Sequence, residues 1–109
     1  MTRRIWTEAE YVVLVGIFSN FSFNMGDDEK PLCRDIAKAF GRNPGTIDRQ
    51  WRNINDILKQ KNVNKIGSRL VYWTTAMLGN PSKIRALAQL YCDENGWKLA
   101  SYLEDHNEA

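Results

Sequence analysis

Phe40-Gly41-Arg42-Asn43-Pro44-Gly45-Thr46-Ile47-Asp48-Arg49-Gln50-Trp51-Arg52-Asn53-Ile54 packs a helix end, a turn and a helix start into fifteen residues. Gly41 stands where a left-handed cap closes a helix, and Asn43 followed by Pro44 is a capping side chain followed by a residue preset for a first turn. The joint is thus a few residues around Gly41-Arg42-Asn43, the length of a helix-turn-helix link. The helix that follows is expected from about Pro44 to Gln60. At 100 degrees per residue its Ile47, Trp51, Ile54 and Leu58 fall on one side and must face a core. Gly45, Arg49, Arg52, Asn53 and Asp56 then face outward, with Thr46 on the flank.

Upstream, Leu32, Cys33, Ile36, Ala37 and Phe40 share one face of a short helix over roughly 31 to 40, with Pro31 in its first turn. Further back, Trp6-Thr7-Glu8-Ala9-Glu10-Tyr11 reads as a capping box with a hydrophobic staple: Thr7 caps, Glu10 returns the bond, and Trp6 reaches Tyr11. Tyr11, Leu14, Val15 and Phe18 give that first helix one buried stripe, and Phe18, Phe21 and Phe23 lead out of it into the polar turn from Asn24 to Lys30.

Downstream, Asn62 to Gly67 reads as irregular, and Ser68 as the cap of a fourth helix carrying Leu70, Val71, Tyr72, Trp73, Met77 and Leu78 up to Gly79. Asn80-Pro81 opens a fifth helix with Ile84, Leu87, Ala88, Tyr91 and Cys92 in phase, ending at Asn95-Gly96; Trp97 to Leu103 adds a short sixth. The expectation is an all-α chain with one domain over 1–103, a helix-turn-helix core over 3–60, a helical extension over 61–103, and a frayed tail over 104–109. A length of 109 residues with 43% hydrophobic content and four tryptophans supports one core.

The net charge of +2 is too mild to name a partner, but its distribution is uneven. From Arg34 to Arg69 the bases Arg34, Lys38, Arg42, Arg49, Arg52, Lys59, Lys61, Lys65 and Arg69 meet only Asp35, Asp48 and Asp56. Acids gather instead at Asp27, Asp28 and Glu29 and at Glu104, Asp105 and Glu108. The middle of the chain can therefore face phosphates, although a merely solvated face produces the same pattern. Cys33 and Cys92 lie far apart among apolar neighbours and read as reduced core thiols. No apolar run approaches the roughly 18 residues of a membrane span, and Met1-Thr2-Arg3-Arg4 leads into a patterned helix instead of a signal-peptide core. The expected location is intracellular: cytoplasmic, or on the nucleoid or in the nucleus when bound to DNA.

Trp6-Thr7-Glu8-Ala9-Glu10, Ile36-Ala37, Gly41-Arg42-Asn43-Pro44, Ile47 and Trp51-Arg52-Asn53 together resemble a Myb/SANT-type three-helix domain. The chain is more similar still to the helical DNA-binding domain at the N-terminus of some HNH-type restriction endonucleases. Those domains share the tryptophan-threonine opening, the glycine-arginine-x-proline start of the last helix, and a later tryptophan like Trp73 followed by Gly79-Asn80-Pro81. The likeness spans residues 3 to about 60, and 61 to 82 loosely. It implies duplex DNA binding with the third helix in the major groove, and it carries over to Thr46, Arg49, Arg52 and Asn53.

The residues themselves support that chemistry. Arg49 and Asn53 are one turn apart, and arginine can contact guanine, or asparagine adenine, through two hydrogen bonds to the base edge. The bland alternative is that Arg49 and Arg52 solubilise the helix, paired with Asp48 or Asp56. Asn43, Thr46 and the first-turn amides offer donors to a phosphate, with Gly45 allowing close approach; Asn43 is also explained as a cap alone. Arg3 and Arg4 can act as an arm, and Arg42, Lys59, Lys61, Lys65 and Arg69 as a group can neutralise several phosphates. The tryptophans invite base stacking, but their spacing places them in the core.

Catalysis has little to stand on, since the one histidine is His106 in the tail and no Cys/His cluster or phosphate-cradling glycine motif exists. Asp27-Asp28-Glu29 lacks metal-loop spacing. The expectation is a non-enzymatic, cofactor-free and metal-free binder of double-stranded DNA, a transcriptional regulator or accessory factor. Leu70, Val71, Tyr72, Met77 and Leu78 offer a surplus apolar surface for a homodimer or protein partner after residue 67. The competing reading is a protein-interaction module, such as a small phage or mobile-element inhibitor of a nucleic-acid enzyme.

Overall fold

The computed structural model describes residues 5–21 and 30–104, with the side chain of Lys30 excepted. It is all-α, and among the described residues five helices run α1 Glu8–Asn20, α2 Lys30–Phe40, α3 Pro44–Leu58, α4 Ser68–Gly79 and α5 Pro81–Asn95. Short 3-10 turns lie at Val63–Lys65 and Ala100–Leu103. Arg3, Arg4, Phe23, the acids at 27–29 and His106 lie outside the described residues.

The start of α1 follows from its sequence. Thr7 Oγ1 accepts the Glu10 amide at 3.2 Å while Glu10 Oε1 accepts the Thr7 amide at 2.9 Å, closing the capping box. The Trp6 and Tyr11 rings stack with centroids 5.5 Å apart. Beyond that start, α1 departs from a one-stripe helix: every residue from Val12 to Phe18 is buried. A helix apolar all round must be covered all round, and α3, α4 and α5 all pack on α1. Tertiary packing holds this β-branched run helical, since its intrinsic helix propensity is weak.

Helix α5 packs closely on α1. A Cβ on Gly16 would lie 3.0 Å from Leu103 Cδ2 and 3.1 Å from Ala88 Cβ, so these neighbours would have to give by a few tenths of an ångström to admit one. One turn on, Ser19 Oγ donates to the Gly16 carbonyl at 2.6 Å and accepts from Arg85 Nη1 at 2.8 Å, a polar bolt between the two helices. The C-terminal turn is pinned alongside. Asn20 Nδ2 donates to the carbonyls of Tyr102 and Glu104, and Tyr102 Oη donates to Asp35 Oδ2 at 2.6 Å. That hydrogen bond, with burial added, pushes the Tyr102 hydroxyl pKa up to about 12.

Helix α2 buries the expected face, Leu32, Cys33, Ile36, Ala37 and Phe40. Gly41 at φ 66° ends it with a Schellman motif: the Arg42 amide donates to the Ala37 carbonyl at 2.9 Å and the Gly41 amide to Lys38 at 3.3 Å. Asn43 Oδ1 then accepts the Gly45 amide at 3.0 Å and caps α3 across a three-residue turn. The inward residues of α3 are Ile47, Trp51, Ile54 and Ile57. Ile57 therefore takes the core position expected of Leu58, which is half-buried at the edge. Trp51 meets Phe18 of α1 with ring centroids 4.8 Å apart.

One further expectation is corrected in the C-terminal half. Gly67, not Ser68, occupies the N-cap of α4, and no side-chain cap bond forms there. Of the apolar residues expected to serve a partner, Leu70 and Met77 join Ile84, Ala88, Cys92, Leu99 and Leu103 in the same core as α1 and α3, and Val71 packs partly buried against it. Tyr72 and Leu78 stay exposed. Trp6 and Trp51 are buried, and Trp73 and Trp97 are half-buried against the core. Among the described residues no helix is long and apolar enough to cross a membrane.

Both cysteines are free and buried, and Cys33 Sγ donates to the Pro44 carbonyl at 3.2 Å. Burial pushes both thiols up, Cys92 to about 11, which suppresses the reactive thiolate. An aromatic disulfide reagent at pH 8 should therefore modify both only after denaturant is added. Release of two chromophore equivalents within seconds from the native protein would overturn that expectation.

Candidate nucleic-acid interface

Helix α3 turns Ile47, Trp51, Ile54 and Ile57 inward, so its intervening residues form an outer face. Arg49 is exposed and makes no ion pair or side-chain hydrogen bond with any described residue. Arg52 is 78% exposed and meets Asp48 Oδ2 at 3.0 Å, one turn back. Such an exposed pair contributes about 0.5 kcal/mol at most, so a phosphate or base edge can readily take Asp48's place. Asn53 is half-buried and donates to Gln50 Oε1 at 3.1 Å. Its carbonyl oxygen points to no described donor, and Gln50 enters the face as a residue the sequence reading passed over; the i, i+3 spacing of two amides was the available signal.

At the near end of α3, Asn43 is exposed but its side-chain oxygen is engaged in the cap, and Thr46 is half-buried on the flank. A Cβ on Gly45 would meet only Asn43 Oδ1 at an ordinary 3.5 Å, so packing does not demand glycine there. At the far end, Lys59 is exposed at the C-cap. Arg49, Arg52, Asn53 and Lys59 are thus brought onto one side of one helix.

Arg42 does not join them. Its side chain is 9% exposed, with Nε 2.7 Å from Glu10 Oε2 and Nη2 3.0 Å from Glu10 Oε1. Nη2 also donates to the Ile5 carbonyl at 3.1 Å, and the guanidinium lies 4.5 Å from the Trp6 ring centroid. The expected phosphate contact is therefore a structural brace. A buried carboxylate at the α1 cap draws in the nearest cation, and the turn carrying Arg42 passes beside it. Arg3 and Arg4, the proposed arm, lie outside the described residues.

No protein-family model, no curated protein and no solved structure matches this chain. The outer face of α3 is rich in hydrogen-bonding groups: donor-only guanidinium forks, carboxamides that donate and accept, and an ammonium group at the C-cap, with Asp48 and Asp56 as the carboxylates of the same helix. Among the described residues no group of three or more His, Cys, Asp or Glu side chains is placed to hold a metal ion.

Proposed function

We propose that the protein binds double-stranded DNA, with the outer face of α3 in the major groove and no catalytic step of its own. The observation that carries this reading is Arg49, an exposed guanidinium without a partner among the described residues, on the helix that follows a helix-turn-helix joint. Asn53 sits one turn beyond it, and the pair complements the base edges of the major groove: the guanidinium can donate to guanine O6 and N7, and the carboxamide can donate to adenine N7 and accept from its N6. Arg52, Thr46 and the first-turn amides supply backbone contacts that fix register. The likeness to Myb/SANT-type domains and to the N-terminal domains of HNH-type endonucleases points the same way. Within this reading the protein acts as a transcriptional regulator or an accessory factor inside the cell, and no dimer is required.

The test is a fluorescence titration of the full chain with random duplex DNA across a range of salt. The parent should bind with a negative slope of log K against log salt. Arg49→Ala should flatten that slope by about 0.9, the counterion release of one lost phosphate-side charge, or, where Arg49 reads a base, should reduce preference for a selected site by about tenfold. Parent protein that shows no salt-dependent duplex binding removes the proposal.

A further inference from the structure

Nine residues, Lys59 to Gly67, join α3 to α4, and from Lys59 through Arg69 in the first turn of α4 there is no carboxylate. Lys59, Lys61, Lys65 and Arg69 are all exposed. The connection is nevertheless built, not slack. Gln60 and Asn62 hold φ of 57° and 53°, the Lys61 amide donates to the Asp56 carbonyl at 2.8 Å, and Lys65 donates to Asn62 at 2.9 Å. Ile66 packs against the core, and its amide closes the 3-10 turn onto Val63 at 3.1 Å. The loop so anchored exposes Lys59, Lys61 and Lys65, and Arg69 follows them in the first turn of α4, making an electropositive corner where the chain turns.

Its position relative to α3 assigns its role. Arg49 and Lys59 are ten residues apart on one helix, about 15 Å along the axis. A recognition helix lying in the major groove can meet base edges along part of its length and the backbone at its C-terminal end, so with Arg49 and Asn53 at base edges, Lys59 and the loop beyond it are carried towards the bordering phosphates. We infer that the corner formed by Lys59, Lys61, Lys65 and Arg69 is a phosphate clamp that grips the DNA backbone without regard to sequence, while Arg49 and Asn53 read bases. This deepens the proposal above and rests on it. The partner is the sugar-phosphate backbone of a duplex, and the labour is divided along one continuous stretch of chain.

The clamp is tested in the full chain with all four cations replaced by alanine, beside Arg49→Ala and the charge-keeping variant in which the three lysines become arginine. Neutralising four phosphate contacts should flatten the salt slope by about 3.6. The parent's advantage over the variant should then shrink by about a hundredfold between 50 and 200 mM salt. Random and selected duplexes should lose affinity by the same factor, and the arginine variant should keep the parent slope. Lys61→Ala and Lys65→Ala alone, each flattening the slope by about 0.9, report the same result should the fourfold variant not fold. A parent that binds with a steep slope while the clamp variants keep it overturns the clamp and leaves the α3 reading standing. A clamp variant that changes the ratio between selected and random duplexes also overturns it. A parent without duplex binding removes both.

Discussion

Arg42→Ala should destabilise the protein by about 3 kcal/mol, which lowers the thermal midpoint by about 15 °C for a chain of this size. The substitution strips a guanidinium from Glu10, whose side chain is only 2% exposed, and leaves that carboxylate in a place where water cannot repay the loss. It also removes the bond to the Ile5 carbonyl and the cation resting on Trp6, so the start of α1 loosens from the α2–α3 turn. Urea and thermal unfolding followed by circular dichroism measure the effect. The double variant Arg42→Met with Glu10→Gln should recover part of it, because no charge is then left stranded. A single variant within about 0.5 kcal/mol of the parent would show the pair to be idle and would return Arg42 to the list of DNA contacts.

Gly16→Val should cost about 3 kcal/mol by overpacking the crossing of α1 and α5. The first carbon alone would sit 3.1 Å from Ala88 Cβ, a helix-borne atom that cannot swing away, and the two further methyls have no space to enter. Gly16→Ala carries the same first carbon, so α1 and α5 must part by a few tenths of an ångström at Ala88 and Leu103, but the better helix propensity of alanine, about 1 kcal/mol, offsets part of that cost and the loss should be far smaller than with valine. The contrast between the two variants in denaturant midpoint separates crowding from backbone freedom. Equal stability of the valine variant and the parent would mean that the helices part easily there.

The termini of the helices were readable because each is written in a few adjacent residues. Thr7 with Glu10, Gly41, Asn43-Pro44, Asn80-Pro81 and Gly96 all do what their side chains or φ preferences dictate locally. What failed depends on partners far along the chain. A single stripe on α1 was expected, yet the uninterrupted run Val12-Val13-Leu14-Val15-Gly16-Ile17-Phe18 is the pattern of a helix covered on all sides, and periodicity alone does not say by what. Ile57 and Leu58 lie 100 degrees apart, and which of them turns inward is decided by where the neighbouring helices pack, not by either residue. Arg42 read as a phosphate contact because its chemistry is right and only its surroundings are wrong: the Glu10 that claims it is thirty-two positions away. Arg49 and Arg52 were legible because outward direction on a short helix follows from its four inward apolar residues.

The encirclement of α1 has a consequence for how such a molecule can diversify. A reading head mounted on three self-sufficient helices is a portable cassette that can be fused, shuffled or trimmed at will. Here the first helix packs on α4 and α5 as well as on α3, so the outer face of α3 and its backing hold together only as one folding unit.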